Sequence, residues 1–331
     1  MSAPALLYLS SDDVLAAMPP IEERIALAER TMTALANGAE LPPKVGVHPR
    51  PEGSFAHAMP AHARGSAEDG GQDLLGTKWV AGFGTNNAAG LPAIHALVVV
   101  NDPLTGLPTA VLDGGPITAH RTAAVSGVAI RRYAPRVKNR PTRAAIIGAG
   151  VQGHSHVPVL GHLLPGVEVT IFDRHHDRAA RLAEAAAATA GVAAATVGSS
   201  AREAIGHADV VVTAASFGPV RQTMTTDWFS DDVLIVPVDY ATSCAAEVAR
   251  EAALFLVDDV GQFRTNRDAG LFEDYPDPAG SLGEAILAGE DPPKAGRVVV
   301  THLGVGLADV VFADAIVRAA TRRGSGTALR R

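Results

Sequence analysis

Residues 144–173, AAIIGAGVQGHSHVPVLGHLLPGVEVTIFD, constrain this 331-residue chain more than any other stretch. An apolar run at 144–147 leads into Gly148-Ala149-Gly150-Val151-Gln152-Gly153. A helix-like segment follows, and a second apolar run at 167–172 ends in Asp173. Strand, glycine turn, helix and strand in that order, with an acid at the far end, predict a dinucleotide-binding unit. Gly148 permits the tight turn. Gly150 lets backbone N–H groups approach a pyrophosphate, and Gly153 lets the helix pack close to the sheet. The helix N-terminus then offers N–H groups and a partial positive charge to the phosphates. Asp173 lies twenty residues beyond Gly153, where a carboxylate binds the ribose hydroxyls of NAD. That carboxylate repels a 2′-phosphate, whereas the adjacent Arg174 can partner one, so the pair points to NAD with NADP as the possible alternative.

The surrounding pattern places this unit in the middle of the chain. Asp12 or Asp13 can cap a first helix before Pro19-Pro20, and a cleaner helix is expected from about Ile21 to Asn37, ending at Gly38. Short apolar or alternating runs at 45–48, 54–59, 74–80, 94–101 and 108–112 read as strands, and 63–73 as a loop. One long helix is expected from Thr118 to Tyr133. Beyond it strands alternate with helices, with strands near 144–148, 167–172, 192–197, 209–214, 233–238 and 254–257, and an alanine-rich helix over 178–190. Runs such as VLIVPV suit parallel strands buried on both faces. The last helix, 305–323, is expected to return to the first domain. The fold class is therefore α/β: a Rossmann-type, doubly wound nucleotide-binding domain over 123–305, plus a smaller α+β domain from 1–122 and 306–331. A cleft between two such domains is the usual place for a small ligand.

Bulk properties exclude more than they assign. A net charge of −7 without a basic run argues against nucleic-acid binding. Arg322, Arg323, Arg330 and Arg331 lie in a glycine-broken tail expected to fray. No apolar stretch approaches the roughly 20 residues of a membrane helix, and MSAPALLYLSSDD lacks the basic start of a signal peptide. One cysteine, Cys244, excludes an internal disulfide and fits a reducing cytoplasm. Among the twelve histidines there is no HExxH and no Cys/His set with zinc spacing. His154 and His156 read as solvent or packing residues.

Only four lysines, Lys44, Lys78, Lys138 and Lys294, stand among the 28 basic residues. Lys78 lies in LLGTKWV, where burial costs desolvation unless the ammonium meets an anion; otherwise it is an edge-strand lysine that blocks pairing. Arg121, in the first turn of the helix expected from Thr118, opposes the helix dipole. It is there either to grip a carboxylate or phosphate, or to pair with Asp113.

Joined together, PPKVGVHPRPEGSFAHAMP (42–60), LLGTKWV (74–80), GLPAIHALVVVNDPLTGLPTAVLDGGPITAHRTAAVSG (90–127), AAIIGAGVQG (144–153) and GVGLADVVFADAIVRAATRRGSGTAL (304–329) resemble the ornithine cyclodeaminase/mu-crystallin family. The resemblance runs through nearly the whole chain in order. It implies an NAD(P)-dependent enzyme that oxidises an amine beside a carboxylate or reduces the corresponding imine, working as a homodimer joined through the non-nucleotide domains. By the same resemblance Lys44, Lys78 and Arg121 hold the substrate carboxylate, and Arg121 also bridges to the cofactor. Val151 and Gln152 follow the fingerprint glycines, and Asp239 moves a proton or activates water. Thr213 and Ser216 are further expected at the cofactor.

The departures concern the substrate. His57 stands where ornithine cyclodeaminases carry a glutamate for the distal amine, His302 stands near their substrate-side serine, and Ala93 replaces a Ser or Thr at the cofactor. YATSCAAE follows Asp239 in place of a shorter proline–glycine–lysine stretch. The expected activity is hydride transfer at the α-carbon of a small amino or imino acid, as a dehydrogenase or imine reductase. The alternatives are a cyclodeaminase that releases ammonia and recycles its hydride, and a catalytically weak, crystallin-like binding protein. Retention of Asp239 argues against the last, because the crystallin branch tends to lose it.

Overall fold

The computed structural model describes residues 5–65, 71–216, 221–289 and 291–331, with residue 87 by its backbone alone. In chain order the elements are β1 (Leu6–Leu9), α1 (Ser11–Ala16), α2 (Ile21–Ala36), β2 (Val45–Val47), β3 (Phe55–Ala63), β4 (Leu74–Gly82), β5 (Ile94–Asn101), β6 (Pro108–Asp113) and α3 (Gly114–Tyr133). Then come β7 (Arg143–Ile147), α4 (Val151–Leu163), β8 (Val167–Phe172), α5 (His176–Ala187), β9 (Val192–Val197), α6 (Ala201–Ile205), β10 (Val210–Thr213) and β11 (Leu234–Pro237). The chain closes with α7 (Ala246–Arg250), β12 (Leu254–Val257), α8 (Val260–Asp268), β13 (Gly280–Ser281), α9 (Leu282–Ala288), β14 (Val298–Thr301), α10 (Gly306–Arg323) and β15 (Thr327–Leu329). Two compact units result: Met1–Arg121 with Val305–Arg331, and Thr122–Gly304. Among the described residues no helix is long and apolar enough to cross a membrane.

The first unit is a mixed sheet in the order β15-β1-β6-β5-β4-β3-β2. Along β4 the side chains alternate, and Gly76, Lys78 and Val80 share the buried face. Helix α10 covers that face against β3, β4 and β5, burying Leu307, Val310 and Val311. In α2 the residues Ile25, Ala28 and Met32, spaced by three and four, give the buried stripe. Ser10 rather than Asp12 or Asp13 caps α1: its side chain accepts from the Asp13 N–H while the Asp13 carboxylate reaches back to the Ser10 N–H.

Two expectations fail here for physical reasons. The tail is not frayed, because β15 pairs antiparallel with β1, Leu6 opposite Leu329. Helix α3 starts at Gly114, four residues before Thr118, because the Asp113 carboxylate accepts from the Gly115 N–H at 2.8 Å and stabilises an earlier start. Arg121 is therefore two turns into the helix, and its opposition to the dipole is weaker than expected. The loop expected at 63–73 lies partly outside the described residues.

The second unit is an all-parallel sheet in the order β13-β12-β14-β11-β10-β7-β8-β9. The chain runs outward from β7 through β8 and β9, then returns to place β10 on the other side of β7. That reversal is the switch point at which such sheets bind ligands, beyond the carboxyl ends of the strands. Two strands, β13 and β14, lie beyond the last one expected; β14, the run VVVT, slots between β11 and β12.

Candidate active site

The glycine turn follows β7 at the switch point. Gly148 has φ +110, and a Cβ there would lie 2.4 Å from the Ala214 carbonyl oxygen. A Cβ on Gly153 would lie 2.3 Å from the Gly148 carbonyl oxygen. Both positions therefore require glycine, the first for its dihedral and the second for close helix packing. Open space surrounds the Cβ direction of Gly150, and that residue caps α4 without any side-chain acceptor. The first-turn N–H groups, including those of Val151, Gln152 and Gly153, are thus placed for an anion. Val151 is 68% exposed, an apolar side chain held at the mouth of the turn. At the end of β8, Asp173 accepts from the Ala149 N–H and the His175 N–H, each at 2.8 Å. The backbone fixes this carboxylate beside the turn, while Arg174 is exposed. These residues fit a dinucleotide.

Asp239 follows β11 and is buried. Three donors converge on it: Thr213 Oγ1 at 2.8 Å to Oδ1, and Ser243 Oγ at 2.6 Å and the Ala215 N–H at 3.0 Å to Oδ2. Burial pushes its pKa up to about 6, although the three hydrogen bonds favour the charged form. Tyr240, next in the chain, is held at φ +58, a left-handed conformation costly for a non-glycine residue. Its hydroxyl donates to the Leu303 carbonyl at 3.1 Å. A poised carboxylate with strained backbone beside it, at the carboxyl end of a parallel strand, is the pattern of a proton-transfer group.

Thr213, expected at the cofactor, is fully buried and gives its hydroxyl to Asp239. Ser216 is exposed, three residues after β10. Cys244 is buried and its thiol is pushed well above the ordinary range by burial, which suits a small packing residue.

In the first unit the structure brings Lys78 and Arg121 onto one carboxylate that sequence reasoning missed, with Lys44 close enough to act on the charges of Lys78 and His57. Asp309, on α10, is fully buried. Lys78 Nζ lies 2.7 Å from its Oδ2 in a buried ion pair. Arg121 Nε donates to Oδ1 at 3.2 Å. Arg121 therefore pairs with Asp309, not Asp113. Lys78 is not an edge residue either, since β4 lies between β3 and β5. Burial pulls the Lys78 pKa down to about 8; Asp309 opposes this, and Arg121 and Lys44 add to it. Two buried cations share one anion, so the cluster is arranged to receive a second carboxylate. Lys44 is half-buried just before β2. His57, on β3, stacks on Phe55 with ring centroids 4.6 Å apart. Burial first, then Lys44, His48 and Lys78, lower its pKa to about 4, so the imidazole is neutral at pH 7.

A family model described as the ornithine cyclodeaminase/mu-crystallin family matches residues 12–322. The nodulation efficiency protein NfeD of Rhizobium meliloti is 34% identical over 326 residues, which cover 97% of each chain. The ketimine reductase mu-crystallin of Mus musculus is 27% identical over 320 residues, 93% of each chain. The solved Delta(1)-pyrroline-2-carboxylate reductase of Thermococcus litoralis, in complex with NADH and L-proline, superposes with a TM-score of 0.84 at 25% identity, over 98% of this chain and 100% of that one. With the match running almost end to end and the glycine turn, the buried acid and the cationic cluster all in place, the chain belongs to the ornithine cyclodeaminase/mu-crystallin family.

Proposed function

We propose that the protein is an NAD-dependent oxidoreductase that acts on the C–N bond of a small amino or imino acid by hydride transfer at the α-carbon. The observation that carries this reading is Asp239, a buried carboxylate with a pKa near 6 at the carboxyl end of β11. NAD, when bound, supplies the hydride acceptor or donor. The N–H groups at the start of α4 would hold its pyrophosphate and Asp173 its ribose. Lys44, Lys78 and Arg121 would bind the substrate carboxylate. Asp239 would accept a proton from the amine during oxidation, or give one to the nitrogen during imine reduction. The neutral His57 in its cationic surroundings disfavours a distal ammonium, so a dehydrogenase or imine reductase is preferred to a cyclodeaminase of diamino acids. The single, buried thiol is in keeping with a cytoplasmic enzyme.

The purified protein incubated with NAD⁺ and L-amino acids, and in parallel with NADH or NADPH and cyclic imines, tests the proposal. Net NADH formation or consumption supports it. Ammonia released without net NADH assigns a cyclodeaminase, and silence in both readouts removes the catalytic reading.

Cofactor choice follows from Asp173. In Asp173→Asn the side-chain oxygen still accepts from the Ala149 N–H but the charge is gone. Affinity for NADH is expected to fall about tenfold while that for NADPH rises, as read by fluorescence titration of the two nucleotides; an unchanged NADH/NADPH ratio assigns discrimination elsewhere.

We also propose a homodimer joined through the outer face of the first unit's sheet. Val45, Ala58, Trp79 and Leu97 form one row across β2, β3, β4 and β5. Val45, Trp79 and Leu97 are 67%, 49% and 44% exposed, an apolar stripe that a monomer would leave in water. Light scattering should give a dimer for the native chain and a folded monomer for Trp79→Glu. A native monomer sinks this assignment.

A further inference from the structure

The two oxygens of Asp239 are not equivalent. Oδ2 accepts from the Ser243 hydroxyl at 2.6 Å and from the Ala215 N–H at 3.0 Å. Among the described residues Oδ1 accepts from one other side chain, the Thr213 hydroxyl, at 2.8 Å. Two donors fill the lone-pair sites of a carboxylate oxygen, so a proton on Oδ2 has to displace one of them. The Ala215 N–H only donates and cannot turn to receive it. A hydroxyl can do either. When a proton arrives on Oδ1, the Thr213 hydroxyl can turn from donor to acceptor, and both hydrogen bonds to Oδ2 survive.

The fold builds the Ser243 contact deliberately. After β11 the chain turns with Tyr240 at φ +58, and the Thr242 N–H donates to the Asp239 carbonyl at 3.1 Å. That turn brings the buried Ser243 back onto the carboxylate of the residue that began it. A neighbouring segment holds the turn in place: the Gln222 N–H donates to the Thr242 carbonyl and the Met224 N–H to the Ser243 carbonyl, each at 3.0 Å. Two other titratable groups feel the charge of Asp239, the Cys244 thiol and the Tyr275 phenol, both buried. Burial raises both well above their ordinary values and the Asp239 charge adds to the rise, so both stay neutral and neither trades protons with Asp239.

We propose that Asp239 gives and takes its proton through Oδ1, with Ser243 and the Ala215 N–H clamping Oδ2 as a permanent acceptor and the Thr213 hydroxyl turning with each transfer. In imine reduction the hydride of NADH goes to the α-carbon and the Oδ1 proton to the nitrogen, leaving the amine, NAD⁺ and the Asp239 carboxylate. Oxidation makes and breaks the same bonds in reverse. Ser243 and Thr213 are positioning residues, since they act through Asp239. The transfer rests on the amino- or imino-acid reading above; the choice of oxygen does not.

The carbonyl stretch of protonated Asp239 distinguishes its oxygens, because each hydrogen bond accepted by the C=O oxygen lowers that frequency. In protein labelled with carbon-13 aspartate, the infrared band is read at about pH 5, where Asp239 holds its proton and ordinary aspartates are largely ionised. Its loss in Asp239→Asn identifies it. With the proton on Oδ1 the C=O oxygen is Oδ2, so the band should rise in Ser243→Ala, keep its place in Ser243→Thr, and move far less in Thr213→Val. A band that moves at least as much in Thr213→Val as in Ser243→Ala, or in neither, overturns the assignment. In turnover, the limb of the pH profile for imine reduction should move up by about one pH unit in Ser243→Ala, the worth of one hydrogen bond to a charged group, and return in Ser243→Thr. A limb that stays while the band moves overturns the transfer step. If no amino or imino acid is turned over, the functional reading fails, and the spectra still decide which oxygen carries the proton.

Discussion

Asp239→Asn is expected to lower kcat roughly a hundred- to ten-thousand-fold, the usual worth of a positioned acid–base group, with NADH affinity unchanged. Asparagine keeps the size and can still accept from the Ala215 N–H, and the Thr213 and Ser243 hydroxyls can turn to meet its amide. What it cannot do is exchange a proton. The pH dependence should carry the signature. With a folded pKa of about 6, the carboxylate form needed for amine oxidation grows as pH rises through 6, and the acid form needed for imine reduction fades over the same range. Both limbs should vanish from the residual rate of the variant. Stability should move the opposite way. The folded pKa lies above the ordinary carboxylate value of 3.8, so the native state holds this proton more tightly than the unfolded chain does. Below pH 4 both states are protonated and the group contributes nothing. Between 4 and 6 the unfolded chain loses the proton first, and above 6 the full cost of burying the charge falls on the native state, about 3 kcal/mol. Asp239→Asn should therefore unfold at a higher temperature than the native protein at pH 8, and at a similar one near pH 4. Lower stability at pH 8 together with intact turnover would make Asp239 a structural residue.

The nucleotide half of the chemistry was legible because it is local. Gly148, Gly150, Gly153 and Asp173 act through backbone dihedrals, close approach and a fixed strand-to-strand distance, all contained in about 30 consecutive residues. The strands of the parallel sheet were legible for the same reason, as unbroken apolar runs. What was not legible depends on partners far apart in sequence. Asp309 meets Lys78 and Arg121 across 231 and 188 positions, so no local pattern names its partners. An aspartate on the buried stripe of α10 was nevertheless a signal, since a carboxylate inside a core needs a cation. The hydrogen bonds from Ser126 to His156 and His302 join α3, α4 and the residue after β14, and no local pattern links a serine to histidines 30 and 176 positions away. The terminal strand β15 was missed because three residues after two glycines carry no periodicity, and only pairing with β1 makes them a strand. The Thr213 hydroxyl meets the Asp239 carboxylate 26 positions on, a pairing that no local pattern signals.

Asp309→Asn is expected to cost about 3–5 kcal/mol, because it takes the counter-charge away from the buried Lys78 and Arg121. For a unit of this size that is a fall of about 10 °C in Tm. The loss should be partly recovered by adding Lys78→Met, which replaces the partnerless buried amine with an apolar side chain while Arg121 stays without its counter-charge. Activity should not follow stability. Desolvation already holds Lys78 down near pKa 8, and the Asp309 carboxylate opposes that fall. Without that carboxylate the Lys78 pKa falls further, the amine is neutral at pH 7, and the substrate carboxylate loses one of its cations. KM should rise by more than about tenfold at pH 7 and recover as the pH is lowered and the ammonium re-forms. In the native protein the same rise in KM should appear only as pH passes about 8. The double variant, partly restabilised and without the lysine, should show a high KM at every pH. Measured KM against pH for the three proteins, with Tm alongside, separates an anion that holds the fold together from one that keeps a lysine charged for substrate. A KM in Asp309→Asn that does not respond to pH would leave Asp309 with the structural role alone.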